Sequence, residues 1–388
     1  MGGLVGGLVA TVLFGGLAFY VWRRLVHDTG MTGRWRIAAT IAIALLVVPI
    51  MVARYLGSGG PPMIQGAVAW PTFTGWAIFA LLFAGVLVTD VARLLVWLVR
   101  KAVRRPAPTD LSRRQALRRI TGGVVTTVAV GEVGVGLVKV LGDVPVVDVP
   151  MKVRRLAPSL DGYTIVQLTD LHIGGTIGRA YIAELVARTN ALQPDLIVLT
   201  GDLVDGSVAQ LRDAAAPLGD LRAKDGVFAI TGNHEYYWGA DEWIVFLRER
   251  GVRVLRNERV EIRRGDGTFD LAGIDDHSAR SLARGHGPDL ARALAGRDPA
   301  RPVVLLAHQP RQVRTTTGFD VDVQLSGHTH GGQVWPWHFL VSLQQGGLLA
   351  GRYQVGPTQL YVSRGAGYWG PPVRFGAPAE ITRVILRA

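Results

Sequence analysis

Three stretches without a single charged side chain dominate the start of the chain: Met1 to Trp22, Ile37 to Ala53 and Ala67 to Thr89. A helix rises about 1.5 Å per residue, so crossing a hydrocarbon core takes about 20 apolar residues, with about 17 as the lower limit. The first and third runs meet this requirement comfortably and the second just meets it. A fourth run, Ile120 to Leu141, is Gly-rich and β-branched, and Glu132 and Lys139 interrupt it. A charge in mid-bilayer costs about 2.5–3.5 kcal/mol on insertion scales. Glu132 is therefore expected to face other helices or lie shallow, with Asp90 and Arg93 as available partners. The predicted spans are about 2–22, 37–53, 70–98 and 120–141, within a helical membrane region 1–141. Gly2/Gly6 and Gly3/Gly7 have the spacing of a close helix-packing face, a weak signal in a chain with 49 Gly.

Charge supports the same reading. Residues 1–150 hold fifteen Lys/Arg against six Asp/Glu, whereas residues 151–388 hold twenty-seven against twenty-four. The basic excess thus lies beside the apolar runs, which points to the basic loops of a membrane protein and away from nucleic acid. Arg23, Arg24, Arg34 and Arg36 lie between the first two runs, and only Arg54 between the second and third. Arg100, Lys101, Arg104, Arg105, Arg113, Arg114, Arg118 and Arg119 precede the fourth. Basic loops stay cytoplasmic, so a fourth span places everything after about Gly142 outside. The last loop contains Ser112-Arg113-Arg114-Gln115-Ala116-Leu117-Arg118, which is similar to a twin-arginine export signal followed by an apolar core. Ala116 stands where an aromatic is usual and no A-x-A cleavage pattern follows, so the segment is expected to stay as an anchor. An accidental Arg pair in a positive-inside loop is the plainer alternative. The chain has no Cys, which excludes disulfides, Cys-ligated zinc, iron–sulfur clusters and thiol nucleophiles.

From about Val146 the texture changes to short apolar runs that alternate with turns and helices. Residues 142–158, with three Pro, read as linker plus entry strand. Strands are predicted over 163–169, 195–200, 227–231, 269–274, 303–307 and 321–326, and helices over 179–191 and 241–250. Strands alternating with helices imply an α/β layered domain. The tail 358–386 reads as an antiparallel edge of a second sheet. Five strand ends then deliver metal-binding residue types: Asp170-Leu-His172, Gly201-Asp202-Leu-Val-Asp205, Gly232-Asn233-His234-Glu235, His308, and Gly327-His328-Thr-His330. Active sites of α/β sheets form at such carboxyl ends. Asp, Asn and His are oxygen and nitrogen ligands suited to Mn, Fe or Zn. In an extended segment residues i and i+2 point the same way, so Asp170/His172 and His328/His330 are expected to converge in pairs. More ligands are present than one ion needs, and Asp202 is the natural carboxylate bridge between two.

The ordered motifs D-x-H, G-D-x-x-D, G-N-H-E, a lone His and G-H-x-H resemble those of the calcineurin-like metallophosphoesterase superfamily. The resemblance covers about Val146 to Leu386. Gly327-His-Thr-His-Gly-Gly-Gln333, Tyr361-Val-Ser-Arg-Gly-Ala-Gly367 and Pro372-Val-Arg-Phe-Gly376 resemble more narrowly its bacterial, membrane-associated branch. The resemblance implies a four-layer αββα sandwich of two mixed sheets over residues 159–388, binding two divalent ions. Asp170, His172, Asp202 and His330 would hold the first ion, and Asp202, Asn233, His308 and His328 the second. Asp205 would stand behind the ligands. His234 would lie over the substrate phosphate as stabiliser or general acid while a metal-bridged hydroxide attacks phosphorus in line.

Several neighbours have plainer readings. Asp275, Asp276 and His277 are expected to form a solvated turn, with flanking of the substrate as the alternative. The aromatics between Val334 and Leu343 are expected to pack in the core, with a dip into the outer leaflet as the alternative. Arg364 and Arg374 are candidates to grip a phosphate, though surface ion pairs are the commoner fate of Arg. The functional expectation is a multi-pass, membrane-anchored phosphodiesterase facing outward, with phospholipid or cell-envelope phosphates as substrates. A phosphomonoesterase or nucleotidase on the same site, and a non-catalytic metal-dependent phosphate sensor, are the alternatives.

Overall fold

The computed structural model describes the backbone of residues 2–56, 62–104 and 110–388, and side-chain surroundings for 11–49, 67–104 and 110–388. The Gly2/Gly6 and Gly3/Gly7 pairs, Arg54 and Arg105 lie outside the side chains so described. The chain divides into two compact units, residues 1–138 with 370–373, and residues 139–369 with 374–388.

The first unit is helical: α1 (Gly2–Trp22), α2 (Gly33–Leu56), α3 (Pro62–Ala102) and α4 (Leu111–Leu141). Ala67–Ala102 and Leu111–Leu141 are each long and apolar enough to cross a bilayer. Leu94, Leu95, Val96, Leu98 and Val99 are all exposed along α3, as are Leu117, Ile120, Val124 and Val128 along α4. A helix apolar on every face suits lipid better than water. The fourth helix starts nine residues before the predicted run at Ile120, because Asp110 caps it. Asp110 Oδ1 accepts from the Arg113 amide (3.0 Å), an orphan donor of the first turn, and from the Ser112 hydroxyl (2.6 Å). Arg119 donates to the Thr29 carbonyl at 2.8 Å. Asp90 takes Arg24 (2.7 Å), Arg93 (3.1 Å) and the Tyr20 hydroxyl (2.7 Å), and Arg93 also donates to Thr121 (2.9 Å). Glu132 is buried within this unit.

The second unit is α/β, with two six-stranded sheets. The first runs β1 (Val146–Lys152), β12 (Ile381–Arg387), β2 (Thr164–Leu168), β3 (Leu196–Thr200), β4 (Val227–Ile230), β5 (Arg253–Val254). The second runs β10 (Gly351–Val355), β11 (Thr358–Val362), β9 (Val323–Ser326), β8 (Val303–Leu306), β7 (Gly267–Gly273), β6 (Glu258–Arg264). Both are mixed, with parallel cores β2–β3–β4 and β7–β8–β9–β11.

Period-two alternation decides which layer each side chain enters. Ile165, Leu196, Val198, Val304, Leu306 and Val323 face one core between the sheets. Val166, Ile197 and Leu199 face the opposite way, onto α5 (Arg179–Ala191), α6 (Val208–Ala215) and α7 (Ala240–Arg248). Val303 and Leu305 pack with Leu290 and Leu294 on the far side. The order is therefore helices, sheet, sheet, helices. Strands buried on both faces read as continuous apolar runs, which is why Leu196-Ile-Val-Leu-Thr200 carries no alternation in its sequence.

The tail differs from its expected place. Only β11 joins the second sheet, where it is parallel to β9 and antiparallel to β10. β12 crosses to the first sheet and lies between β1, parallel, and β2, antiparallel. It is an interior strand, not an edge. Thr382, Val384 and Leu386 are fully buried there, a demand that Ile-Thr-Arg-Val-Ile-Leu-Arg meets with its β-branched residues.

Candidate metal centre

The parallel strands of both sheets end at one place. Beyond β2 stand Asp170 and His172, beyond β3 Asp202 and Asp205, and beyond β4 Asn233 and His234. His308 follows β8, and His328 and His330 follow β9. All are buried except Asp205 and His328, which are half-buried.

Their convergence has a different backbone cause from the one expected. The pairs Asp170/His172 and His328/His330 are not extended. Asp170 (φ 55°), His172 (49°), Asp202 (52°), His328 (73°) and His330 (50°) all lie in the left-handed region. Non-glycine residues rarely adopt it, and clusters of such residues mark functional sites. Neighbouring glycines make room. A Cβ on Gly201 (φ 91°) would stand 2.5 Å from the Gly232 nitrogen, so the β3 and β4 loops touch back to back. A Cβ on Gly327 would stand 2.1 Å from Asp170 Oδ2.

Donor atoms fall into clusters. Those of Asp170, His172 and His330 lie within 4.8 Å of one another, and so do those of Asp202, His308 and His328. In the first, His172 Nε2 faces His330 Nε2 at 2.9 Å, and His330 Nε2 lies 3.5 Å from Asp170 Oδ1. In the second, His308 Nε2 lies 3.0 Å from Asp202 Oδ2 and 3.3 Å from His328 Nδ1. Outer partners fix the tautomers that leave these nitrogens inward. His172 Nδ1 donates to Asp205 Oδ1 (3.1 Å), and His308 Nδ1 donates to the Thr200 carbonyl (2.8 Å). This pattern of a carboxylate or carbonyl behind the imidazole is the usual support of a metal-ligating His.

Charge fits the same use. Burial pushes His328 down to about 3, with help from the charge of His308, and burial holds His330 well below the imidazole range. Both rings are thus neutral and offer lone pairs. Burial opposes ionisation of Asp202, yet the charge and hydrogen bond of His308 keep it well below the carboxylate range. Asp170 is raised, chiefly by burial, and a cation is what would restore its charge.

The test of a metal is Asn233. Its Oδ1 is buried and has no hydrogen-bond partner among the described residues. Leaving such an acceptor unmet costs about 1–3 kcal/mol, and a divalent ion satisfies it. The residues present therefore fit a metal site.

Three further residues show what the motifs concealed. Glu235, fully buried, accepts from the amides of Asp202 (3.0 Å), Leu203 (2.7 Å) and Gly232 (2.6 Å), and so clamps the β3 and β4 loops together. Asp205 Oδ1 also accepts from His234 Nδ1 at 2.5 Å, which turns His234 Nε2 toward Asp202 (3.9 Å). Arg374 is buried, not open to a phosphate. It donates to the carbonyls of Arg364, Gly367, His330 and Ala377 and reaches His330 Nδ1 at 3.1 Å. Its bonds to backbone carbonyls make it a brace of the His330 loop. Arg364 is paired with buried Glu380 at 2.8 Å.

Asp275 and Asp276 are fully buried, not solvated. Arg256 pairs with Asp275 at 2.7 Å, and Gln309, next to His308, donates to both oxygens of Asp276 at 3.1 Å. A buried carboxylate needs such partners, and they come from sequence positions too distant for a local reading. The aromatics after Val334 do not pack in the core: Trp335, Trp337 and Phe339 are exposed.

A two-sheet α/β domain that gathers Asp, Asn and His at its strand ends belongs to the architecture of metallohydrolases. The sequence model of the calcineurin-like phosphoesterase family matches residues 163–332. A Bos taurus transmembrane protein with metallophosphoesterase domain is 36% identical over 96% of this chain and 86% of its own length. The Danio rerio protein of the same description is 40% identical over 65% of this chain and 59% of its own. The Bacillus subtilis metallophosphoesterase YkuE is 31% identical over 72% of this chain and 98% of its own. The chain belongs to the calcineurin-like metallophosphoesterases, and it is a metal-dependent phosphoester hydrolase by that membership.

Proposed function

We propose that the protein is a membrane-anchored phosphodiesterase that works with two divalent ions. Asp170, His172, Asp202 and His330 hold one ion, and Asp202, Asn233, His308 and His328 the other. The observation that carries this is the pairing of two separate donor clusters with the orphaned Asn233 oxygen. Two ions in such a site supply Lewis-acid polarisation of a phosphoryl oxygen and a lowered water pKa.

The chain's own groups do the rest. Burial pushes His234 down, but the hydrogen bond it donates to Asp205 and the charges of Asp202 and Asp205 overcome this and raise it to about 9. Its Nδ1 proton is held by Asp205, so Nε2 is the atom that carries a proton toward the leaving oxygen. Asp202 accepts from the His234 amide through Oδ1 at 2.9 Å, which leaves Oδ2 facing the donor cluster of His308. Glu235 and Arg374 brace the loops that carry the ligands.

The diester preference rests on what is already committed. Arg364 and Arg374 are both engaged, so phosphate recognition falls to the ions and His234. That suits one anionic charge better than the two of a monoester. The helical unit anchors the enzyme with its basic loops inside and the domain outside the cell. Purified full chain loaded with Mn²⁺ is expected to hydrolyse a chromogenic diester faster than the matching monoester. Absence of diester hydrolysis with any divalent metal would overturn the reading, and a faster monoester would move the substrate to the phosphomonoester class. A reporter fused to the C-terminus and assayed on both sides of the membrane tests the sidedness.

A further inference from the structure

The rim of the site is apolar and uncovered. The helix Trp337–Gln344 begins seven residues after His330, and none of its residues is buried. Phe339 is 63% exposed, Leu340 60% and Leu343 79%, and Trp335 beside the helix is 49% exposed. This helix stands directly on the ligand loop, since a Cβ on Gly332 would lie 2.3 Å from His338 Cα.

The same surface continues to the catalytic side. The Gln333 side chain holds both the amide and the carbonyl of Trp369, each at 2.9 Å. Trp369 is exposed, and its ring centroid is 6.0 Å from that of His234. On the other flank exposed Tyr237 lies 5.1 Å from the His234 ring. His234 thus sits between outward-facing aromatics, with the bare helix beyond.

Large apolar side chains grouped on a surface mark a place of contact with protein or lipid. Two observations choose lipid. The rim is rich in Trp, whose ring suits the headgroup level of a bilayer. Only residues 142–145 separate β1 from Leu141, the end of an apolar helix long enough to span a membrane.

We propose that this rim inserts into the bilayer and that the enzyme takes its substrate there, a phosphodiester carried on a lipid. This rests on the reading of the chain as a membrane-anchored phosphoesterase. The lipid tail stays among Phe339, Leu340 and Leu343, and the headgroup phosphate reaches the ligand clusters past Trp369. An interfacial helix gains its affinity from apolar area, so replacing that area with charge removes the gain.

The test uses full chain reconstituted in phosphatidylglycerol/phosphatidylethanolamine vesicles with Mn²⁺. The chain has no Cys, so Leu343→Cys carries a spin label at one position only. Asp266→Cys is the control, because its turn joins β6 to β7 at the end of the sheet away from the site. The label at 343 is expected to be shielded from a water-soluble relaxing agent and open to oxygen, while the label at 266 stays aqueous. Equal water access at both positions overturns the proposal. Dipolar broadening between labels at 343 assigns the rim to a second copy of the chain and also overturns it.

Activity supplies the second arm. A dialkylglycerol p-nitrophenyl phosphate in the vesicles is compared with soluble methyl p-nitrophenyl phosphate. Leu340→Glu with Leu343→Glu is expected to lower kcat/KM on the lipid diester about ten-fold or more and to leave the soluble diester unchanged. Equal rates of wild type and variant on the lipid diester overturn the proposal. If neither diester is hydrolysed, the phosphoesterase reading fails, and the label alone then decides insertion.

Discussion

Glu235 is the most exacting place to test how the site is held. Its Oε2 takes two amides, Asp202 and Gly232, and its Oε1 takes Leu203. Glu235→Gln keeps the shape and changes one oxygen to an amide nitrogen. The best placement sets that nitrogen against the Leu203 N–H, so one buried bond is lost and two donors face each other. The remaining two bonds lose the assistance of charge. A buried unmet donor costs about 1–3 kcal/mol, and weakening of the other two adds to it. Removing the charge returns part of this, because Glu235 sits near Asp202 and burial already raises its pKa. The net expectation is a loss of about 2–4 kcal/mol. That corresponds to a fall in Tm of roughly 4–16 °C for a domain of this size. The assay is thermal unfolding of the metal-free, detergent-solubilised chain, followed by isothermal titration with Mn²⁺. Metal affinity is expected to fall as well, since the Asp202 and Asn233 loops lose their clamp. A Tm within about a degree of wild type, with unchanged metal affinity, would refute the clamp.

Other outcomes follow from the same geometry. Asp202→Ala is expected to abolish activity and metal binding together, whereas His234→Ala keeps both metals and slows turnover about 10²–10⁴-fold; metal analysis beside kinetics separates the two. Asn233→Leu removes a buried acceptor that has no partner, so the metal-free protein should melt at the same or a higher temperature while its Mn²⁺ affinity drops. In metal-free protein the Asp205–His234 pair sets a pH window. His234 is raised to about 9 against an unfolded value of about 6.5, so its contribution is full below about 6.5 and is lost as pH rises through 9. Asp205, half-buried, is raised by desolvation but lowered more by the charges and hydrogen bonds of His172 and His234, to about 2 against about 3.9 unfolded, so its share is lost as pH falls toward 2. Melting temperatures across pH are expected to drop on the alkaline side, and His234→Gln should flatten that slope; an unchanged slope would count against the pair.

Much of the candidate site was legible before any fold was known, because ligand chemistry is a property of residue type and strand ends are marked by apolar runs that stop at Asp, His or Asn. The helix predicted over 179–191 is found over Arg179–Ala191, where amphipathic spacing acts locally. Other features had no local signal. β12 looked like an edge because its own seven residues do not say which of two sheets has a gap. Asp275 and Asp276 looked solvated because Arg256 and Gln309, which satisfy them, lie elsewhere in the chain. Arg374 looked like an anion grip because its carbonyl partners are backbone, and backbone has no letter of its own. Four ligands, Asp170, His172, His328 and His330, read as extended chain, yet they hold left-handed conformations that only packed loops can enforce.

Composition and order alone therefore marked the apolar helices, the alternation of strands and helices, and the candidate Asp, Asn and His donors at the strand ends, since hydrophobic period and coordination chemistry act through residue type; the two-sheet class came with the family resemblance of the motifs. Tertiary structure alone decided that Glu235 and Arg374 are braces, that the Asn233 oxygen is buried without a partner, and that the aromatics past His330 stand bare. Those depend on which backbone groups meet across long sequence separations, and a chain acquires such meetings only when its layers close.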